Sequence, residues 1–208
     1  MIVSQHEINP KVLEHIEANR GLLTPDFSSY ANERKRAWIG CEGPLSFNRD
    51  FELAPFSYES ILWQWLSWFC RTNLDFEPEL ALLHVGGADC SDPTDNPLNG
   101  PGGECGIKSH RDAAYADYRA VGINLVGKAT FGYRAVYPKI GSWSPKTNDT
   151  APIEHVHMVA GTCVQFNCKN PHFAEVGPNR WAINAWRVSD RRRDDYLRFL
   201  AREGLTHP

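Results

Sequence analysis

Between residues 80 and 188 the sequence contains eight short segments rich in β-branched and aromatic residues, separated by turn residues. The segments are LALLHV, GIKSHRD, RAVGINLV, ATFGYRAV, HVHMVAG, TCVQFN, HFAEV and WAINAWRV. Many short strands in succession are typical of sandwiches, jelly rolls and barrels. This succession constrains the fold more than any other feature, and it predicts a β-rich core over residues 80–188.

Helical patterns precede this region. NPKVLEHIEAN predicts a short helix capped by Asn9, and SYESILWQWLSWFCR predicts a longer helix with Ser57 as its cap. The apolar residues that recur at helical spacing in the longer segment are Ile61, Leu62, Trp65, Leu66 and Phe69. We interpret the tryptophans of this helix as packing residues rather than as a ligand platform.

A last helix is predicted over residues 190–203 by SDRRRDDYLRFLAREG. Ser189 or Asp190 would begin this helix, and Gly204 would end it. The residues expected on its apolar face are Tyr196, Leu197 and Leu200.

These segments together predict an α+β architecture with a β-rich core, folded as one domain over residues 1–208. Residues 1–78 would form a helical N-terminal support for the core at 80–188. The stretch from 86 to 105, GGADCSDPTDNPLNGPGGEC, shows no evident element, and loops of this length are often lids or binding loops. We interpret it as a lid because it leads directly to His110, whereas a surface insertion is the alternative.

Composition limits the classes of function. The net charge of −3 argues against broad electrostatic binding to nucleic acid or anionic membranes. The longest apolar region, ILWQWLSWFC, is too short to span a bilayer, and the first residues lack the pattern of a signal peptide. The six cysteines show no zinc-type spacing, so we expect reduced thiols and a cytoplasmic location. Cys90 and Cys105, at the two ends of one loop, could pair under oxidation.

A histidine and an aspartate two positions apart, His110 and Asp112 in SHRDAAY, follow the long loop. Chance can produce such a pair in a chain of this composition, and His15 and Glu17 form a second one. The second pair lies on a predicted helix, where residues two apart point in different directions. On a strand, by contrast, His110 and Asp112 would lie on the same side and could reach one ion.

Further along the chain, His172 begins one predicted strand and Arg180 begins the next. Two neutral imidazoles and one carboxylate form the 2-His-1-carboxylate site of non-haem Fe(II) oxygenases, so His110, Asp112 and His172 are candidate metal ligands and catalytic residues. Open positions on such a metal can take the keto and carboxylate oxygens of 2-oxoglutarate and, beside them, O₂. The planar guanidinium of Arg180 would suit the far carboxylate of 2-oxoglutarate.

With these residues in place, the stretch from 110 to 188 resembles the Fe(II)/2-oxoglutarate-dependent oxygenase superfamily. RWAINAWRV after HFAEVGPN is similar to the closing strand of its prolyl-4-hydroxylase-like members, and RAVGINLVGKATFGY is similar to the strand pair after their metal motif. The resemblance implies a double-stranded β-helix, which is a jelly roll, with helices packed on it. It also implies Fe(II), 2-oxoglutarate as cosubstrate and O₂ as oxidant, with succinate and CO₂ as products and hydroxylation as the usual outcome.

Three further polar residues are candidates for contacting 2-oxoglutarate or substrate. Asn124 and Tyr133 lie on the two predicted strands that follow the aspartate, and Asn184 shares a strand face with Arg180. A core tyrosine with a bonded hydroxyl is the alternative for Tyr133. The superfamily often has a serine or threonine two residues after the arginine, whereas this sequence has Ala182.

We expect a hydroxylase that acts on a small molecule of the amino-acid or natural-product type. The same chemistry on a protein side chain or nucleobase is one alternative, and a cupin-like isomerase or binding module without 2-oxoglutarate is another. His155 and His157, on one face of a strand, form a minor alternative metal pair. We interpret the basic run RVSDRRRDDYLR as a solvated helix face that its aspartates neutralise, so nucleic acid is not the favoured partner. The sequence leaves the oligomeric state open.

Overall fold

The computed structural model of the chain describes residues 1–26, 34–44, 50–86, 106–134, 152–177 and 179–206. The helices in these ranges are Pro10–Ala18 (α1), Ile61–Leu74 (α2) and Arg193–Arg202 (α3), with 3-10 turns at Arg20–Leu22 and Asp190–Arg192. The strands are Ile2–Gln5 (β1), Thr24–Pro25 (β2), Arg34–Glu42 (β3), Glu52–Leu53 (β4), Phe56–Ser57 (β5), Leu80–Gly86 (β6), Ile107–His110 (β7), Ala116–Val126 (β8), Ala129–Arg134 (β9), Ile153–Met158 (β10), Thr162–Asn167 (β11), His172–Val176 (β12) and Trp181–Val188 (β13).

The strands form two sheets. The larger sheet has the order β1-β11-β8-β13-β6-β3-β2, with β4 and β5 paired to β3, and the smaller sheet has the order β10-β9-β12-β7. The pairing is antiparallel except between β3 and β5. Side chains from both sheets, among them Leu82, Val164, Phe131 and Ala174, share one core. Strands β6 to β13 are the eight predicted segments, and their distribution over two facing sheets confirms the α+β jelly-roll architecture.

Helices α1 and α2 pack on the outer face of the larger sheet. Their buried residues join a second apolar cluster that includes Ala81, Leu83 and Val85 of β6. Burial of alternate β6 residues on opposite faces explains why its sequence reads as a continuous apolar run, as expected for a strand covered on both sides.

The caps of these helices were partly predicted. The Asn9 side chain accepts a hydrogen bond from the backbone N–H of Lys11, at 3.0 Å, as expected for the cap of α1. The predicted cap Ser57 is wrong, because Ser57 lies in β5 and pairs with β3. Ser60 caps α2 instead, accepting from the N–H of Trp63 at 3.2 Å. As a result Ile61 is the first residue of α2 and is 60% exposed, contrary to its predicted place on the apolar face.

Helix α3 closes the core between the sheets through Tyr196, Phe199 and Leu200, which are buried. The predicted core position of Leu197 is wrong. The buried residues Tyr196, Phe199 and Leu200 are spaced i, i+3 and i+4, and Leu197 lies outside this face and is 45% exposed. The basic run at the start of this helix is only partly solvated. Arg193 pairs with the buried carboxylate of Glu79, which also accepts from the N–H of Val188 at 2.7 Å.

The N-terminal part of the chain adds strands that the sequence did not predict. β1 extends the larger sheet beside β11, and β3 extends it beside β6, so residues 1–78 are not a purely helical support. In β3 the residues Arg34 and Arg36 lie across from Gly86 and His84 of β6. Because two arginines occupy one face of β3, its sequence lacks the alternation of apolar and polar residues that predicts a half-buried strand.

Some predictions fall on residues that the structure does not describe. Residues 87–105 of the predicted lid, including Cys90 and Cys105, lie outside the described ranges. The lid, the pairing of these cysteines and the single-domain organisation therefore stay predictions. Cys41, Cys70, Cys163 and Cys168 are free, buried thiols. None of the helices in the described ranges is long and apolar enough to cross a membrane.

Packing of α3 gives a matched test of the core. Leu200→Ala is expected to lower the free energy of unfolding by about 2–5 kcal/mol, because it removes buried methyl groups and leaves a cavity. Leu197→Ala is the same change on the exposed side of the helix and should cost about 0.5 kcal/mol or less. Urea denaturation measures both values. Equal losses in the two variants would contradict this orientation of α3.

Candidate metal centre

His110 and His172 lie directly opposite each other on paired strands. β7 and β12 run antiparallel, and their register aligns His110 with His172. The two imidazole centroids are 4.4 Å apart. Since opposed residues of an antiparallel pair point to the same face, both rings are directed into the space between the sheets.

Asp112 reaches the histidines from a loop. β7 ends at His110, so the expectation that Asp112 alternates along the same strand is wrong. Its backbone N–H donates to the carbonyl of Cys168 at 3.0 Å. The ammonium group of Lys169 donates to the carbonyls of Asp112 and Ala113, at 3.2 and 2.7 Å. These bonds tie the loop after β7 to the segment just before β12, and so they bring the carboxylate to the histidine pair.

The predicted triad converges on one point. Oδ1 of Asp112 is 3.4 Å from Nε2 of His110 and 3.5 Å from Nε2 of His172. One donor atom from each of the three residues lies within 4.8 Å of the other two. Donor atoms that bind one ion at about 2.1 Å and at right angles to each other would be about 3 Å apart. The triad therefore has the dimensions of a metal site.

Hydrogen bonds fix the tautomers of both histidines. Nδ1 of His110 lies 2.8 Å from the carbonyl oxygen of Lys108, and Nδ1 of His172 lies 2.9 Å from that of Asn170. A carbonyl oxygen only accepts, so each Nδ1 carries the proton and donates it. Each Nε2 is then unprotonated and lies beside the Asp112 carboxylate, where its lone pair is available to an ion bound among the three residues.

Trp186 holds the orientation of the Asp112 carboxylate. Its indole N–H donates to Oδ2 at 2.7 Å, which leaves Oδ1 for the histidine side. Trp186 itself packs against Trp38 and Tyr115. Burial disfavours the charged form of Asp112, whereas the hydrogen bond from Trp186 favours it. A metal ion bound between the carboxylate and the two neutral imidazoles would stabilise the anion further.

Arg180 lies just before β13, and a buried asparagine orients it. Its Nε donates to Oδ1 of Asn124 at 2.6 Å, and the Asn124 amide donates to the carbonyl of Gly127 at 2.8 Å. Burial, with the nearby charge of Arg34, lowers the pKa of Arg180 to about 10, so the guanidinium stays charged at neutral pH. Asn124 thus contacts the predicted anion-binding residue and sets its position.

A cavity of about 430 Å³, its open mouth included, links these two groups of residues. The histidines of the triad line one part of it and Arg180 lines another. The other residues that line this cavity include Arg34, His84, Phe131, Val164, Phe166 and Asn184. The cavity therefore joins the candidate metal site to a buried positive charge along walls that are partly apolar.

Two of the predicted contact residues are engaged with protein partners. The amide nitrogen of Asn184 lies 3.3 Å from Nε2 of His84. The hydroxyl of Tyr133 accepts from the Asn170 side chain at 2.9 Å, which agrees with the alternative of a core tyrosine with a bonded hydroxyl. Contacts of Asn184 and Tyr133 with a cosubstrate stay predictions.

Sequence reasoning missed several residues of this region. Trp186 could have been found, because it shares the inward face of β13 with Asn184 by alternation. Arg34 and His84 could not, since only strand pairing brings them to Arg180. The alternative metal pair, His155 and His157, is exposed on β10.

Comparisons with known proteins concern the fold alone. No family model matches the sequence, and no curated protein matches it. Solved structures that match include a prolyl-4-hydroxylase from Pseudomonas putida, at 12% identity over 90% of this chain and 92% of that chain, with a TM-score of 0.49. A 2OG-Fe(II) oxygenase-family oxidoreductase from Burkholderia pseudomallei matches at 13% identity over 84% and 77% of the two chains, with a TM-score of 0.46.

A third match is the Escherichia coli ribosomal oxygenase YcfD in complex with cobalt and 2-oxoglutarate, at 13% identity and a TM-score of 0.48. It covers 98% of this chain, which spans about half (53%) of that structure. Similarity at this level carries no conclusion about activity or substrate. The jelly-roll architecture rests on the strand order itself.

The bond from Trp186 to Asp112 can be tested directly. Trp186→Phe keeps the ring but removes the N–H donor, so we expect the affinity for Fe(II) to fall by about 10–100-fold. Asp112→Ala removes the only anionic ligand of the triad and should abolish binding. Trp181→Phe, on the opposite face of the same strand, is the control and should bind Fe(II) as the unmodified protein does. Anaerobic calorimetry measures the affinities, and unchanged binding by Trp186→Phe would show that the indole does not support the ligand.

Proposed function

We propose that this protein is an Fe(II)- and 2-oxoglutarate-dependent oxygenase. The observation that carries the proposal is the convergence of His110, Asp112 and His172 at one end of a cavity that also contains the charged side chain of Arg180. Neither half of this arrangement is specific by itself. Together they provide a 2-His-1-carboxylate donor set for a metal and, apart from it in the same cavity, a buried cation. A dicarboxylate that chelates the metal at one end requires such a cation for its other end.

The donor chemistry of the triad fits Fe(II). Two neutral imidazole nitrogens and one carboxylate oxygen suit a divalent first-row metal that keeps open positions for other ligands. Bound Fe(II) would supply the activation of O₂ that couples decarboxylation of 2-oxoglutarate, to succinate and CO₂, with oxidation of a substrate. The chain's own contribution is to present both Nε2 lone pairs and to fix the carboxylate through Trp186.

Arg180 would bind the far carboxylate of 2-oxoglutarate. Its Nε is engaged by Asn124, and one terminal nitrogen has only a long contact of 3.9 Å with the Met158 sulfur, so both terminal nitrogens can donate to a carboxylate. Asn124 acts in this proposal by positioning the guanidinium. Asn184 and Tyr133 are proposed as further contacts of cosubstrate or substrate. The partly apolar wall formed by Phe131, Val164 and Phe166 would exclude water from the bound molecule.

For the substrate we propose a small molecule of the amino-acid or natural-product type, hydroxylated in the cytoplasm. The free, buried thiols of Cys41, Cys70, Cys163 and Cys168 support a reducing compartment.

The decisive experiment is an anaerobic titration of the Fe(II)-loaded protein with 2-oxoglutarate. We expect a visible metal-to-ligand charge-transfer band that grows and saturates, because the keto acid chelates the metal. Iron binding without such a band would contradict the use of 2-oxoglutarate and would favour a cupin-like metal site. Absence of iron binding would contradict the metal centre itself.

The role of Arg180 has a separate test. Arg180→Ala should weaken 2-oxoglutarate binding by about 10–100-fold, since a charge-assisted hydrogen-bond pair to the far carboxylate is lost. Fe(II) affinity should not change. Arg187→Ala removes an exposed arginine of β13, the strand that Arg180 precedes, and serves as the control. The band described above reports the affinity, and equal values for both variants would contradict the assignment of Arg180.

A further inference from the structure

His84 lies on the inner face of β6, next to the place that the proposed cosubstrate carboxylate would occupy. It is opposite Ala182 of β13, and Ala182 is in turn opposite Asn124 of β8. His84 and Asn124 therefore flank Ala182 in one row across three strands. The methyl group of Ala182 offers no polar atom, and its small size leaves space between the two flanking side chains. His84 and Arg180 line the same cavity.

The protonation state of His84 follows from its surroundings. The Asn184 amide nitrogen, which only donates, lies 3.3 Å from Nε2 of His84, so Nε2 accepts and Nδ1 carries the proton. Burial, together with the charges of Arg34 and Arg180, lowers the pKa of His84 well below its usual value. His84 is therefore a neutral imidazole with one N–H donor, at Nδ1.

This donor is an exception among buried polar groups. His84 is 6% exposed, and within the described residues its Nδ1 is buried without a hydrogen-bond partner. A buried donor without a partner is costly, so native proteins rarely retain one unless a ligand or water accepts its hydrogen bond. Arg180 beside it has no carboxylate partner within the same residues. The His84 donor has no hydrogen-bond partner and the Arg180 cation has no counterion within these residues. Both line one cavity, and an anionic acceptor bound there would stabilise both.

We propose that His84 is a second anchor of the far carboxylate of 2-oxoglutarate, donating from Nδ1 to one carboxylate oxygen while Arg180 binds the group through its guanidinium. This assignment rests on the proposed function. Arg180 supplies the charge, and the neutral imidazole supplies a hydrogen bond of fixed direction. His84 would then help the protein to distinguish a dicarboxylate from a keto acid without the second acid group.

Two polar substitutions separate the donor from the rest of the side chain. His84→Asn places an amide near the position of Nδ1 and can keep the donor. His84→Gln extends the amide towards the position of Nε2, near Asn184, and loses the donor at Nδ1. His84→Leu removes all polar atoms. Thermal denaturation of each variant verifies that it is folded.

The experiment measures the affinity of the Co(II)-loaded protein for two keto acids by calorimetry. We expect His84→Gln and His84→Leu to bind 2-oxoglutarate about tenfold or more weakly, since a hydrogen bond to a charged group is lost. His84→Asn should remain within about threefold of the unmodified protein. 2-Oxopentanoate, which has the same chain length but a methyl group in place of the far carboxylate, should bind all four proteins equally.

Two outcomes would overturn the assignment of His84. Undiminished 2-oxoglutarate binding by His84→Gln and His84→Leu would show that Nδ1 makes no contact with the carboxylate. A parallel loss for both keto acids would show that His84 only shapes the cavity. If the unmodified protein itself binds no 2-oxoglutarate, the proposed function fails, and that result is distinguishable because it appears before any substitution.

Discussion

The pairing of β7 with β12 is the contact on which the candidate site depends. It places His110 opposite His172, and side chains alternate along a strand, so a slip of one residue would turn one imidazole out of the cavity. β7 is a short edge strand, whereas β12 is paired on its other side with β9 over five residues, with His172 opposite Tyr133. β12 therefore fixes the position of the site, and β7 takes its register from β12.

Charge is distributed along the cavity in a way that matches a dianion. A divalent ion held by one carboxylate and two neutral imidazoles would carry one net positive charge, and Arg180 carries another. Both are buried, where unbalanced charge is costly. A ligand with two carboxylates would balance both, one at each end, whereas a monoanion would leave one cation uncompensated. Because unbalanced charge is costly in a medium of low dielectric constant, charge balance alone favours a dicarboxylate, whatever its detailed contacts.

Much of the fold was readable from the sequence, because β6 to β13 carry strong local signals: short apolar runs bounded by turns. The four residues His110, Asp112, His172 and Arg180 could be selected from their order along the chain. Their geometry was harder to predict. Asp112 reaches the histidines through loop contacts to Cys168 and Lys169, which are set by tertiary structure and leave no periodic pattern.

The wrong predictions from the sequence share one physical cause: the pattern within a segment does not reveal what that segment packs against. β3 was missed because Arg34 and Arg36 face the cavity side of the sheet, where a core strand would carry apolar residues. Ser57 was preferred to Ser60 because both are good caps, and only the pairing of β5 with β3 keeps the chain extended at Ser57. Leu197 and Phe199 flank, on opposite sides, the helix face that Tyr196 and Leu200 share, so the helical pattern fits either of them in the core and only tertiary packing selects Phe199.

The position of His84 at the site could not be predicted for the same reason. In the sequence it is one histidine inside the apolar run LALLHV, where a satisfied core residue is the ordinary interpretation. Along β13, alternation leads from Arg180 to Ala182, which cannot donate a hydrogen bond. The donor of His84 lies opposite that position on the neighbouring strand, and it comes from more than ninety residues earlier in the chain. In a sheet, cross-strand neighbours are as close as neighbours along one face of a strand. A polar function that is absent from one strand can therefore be supplied by the next, and only the register shows which residue supplies it.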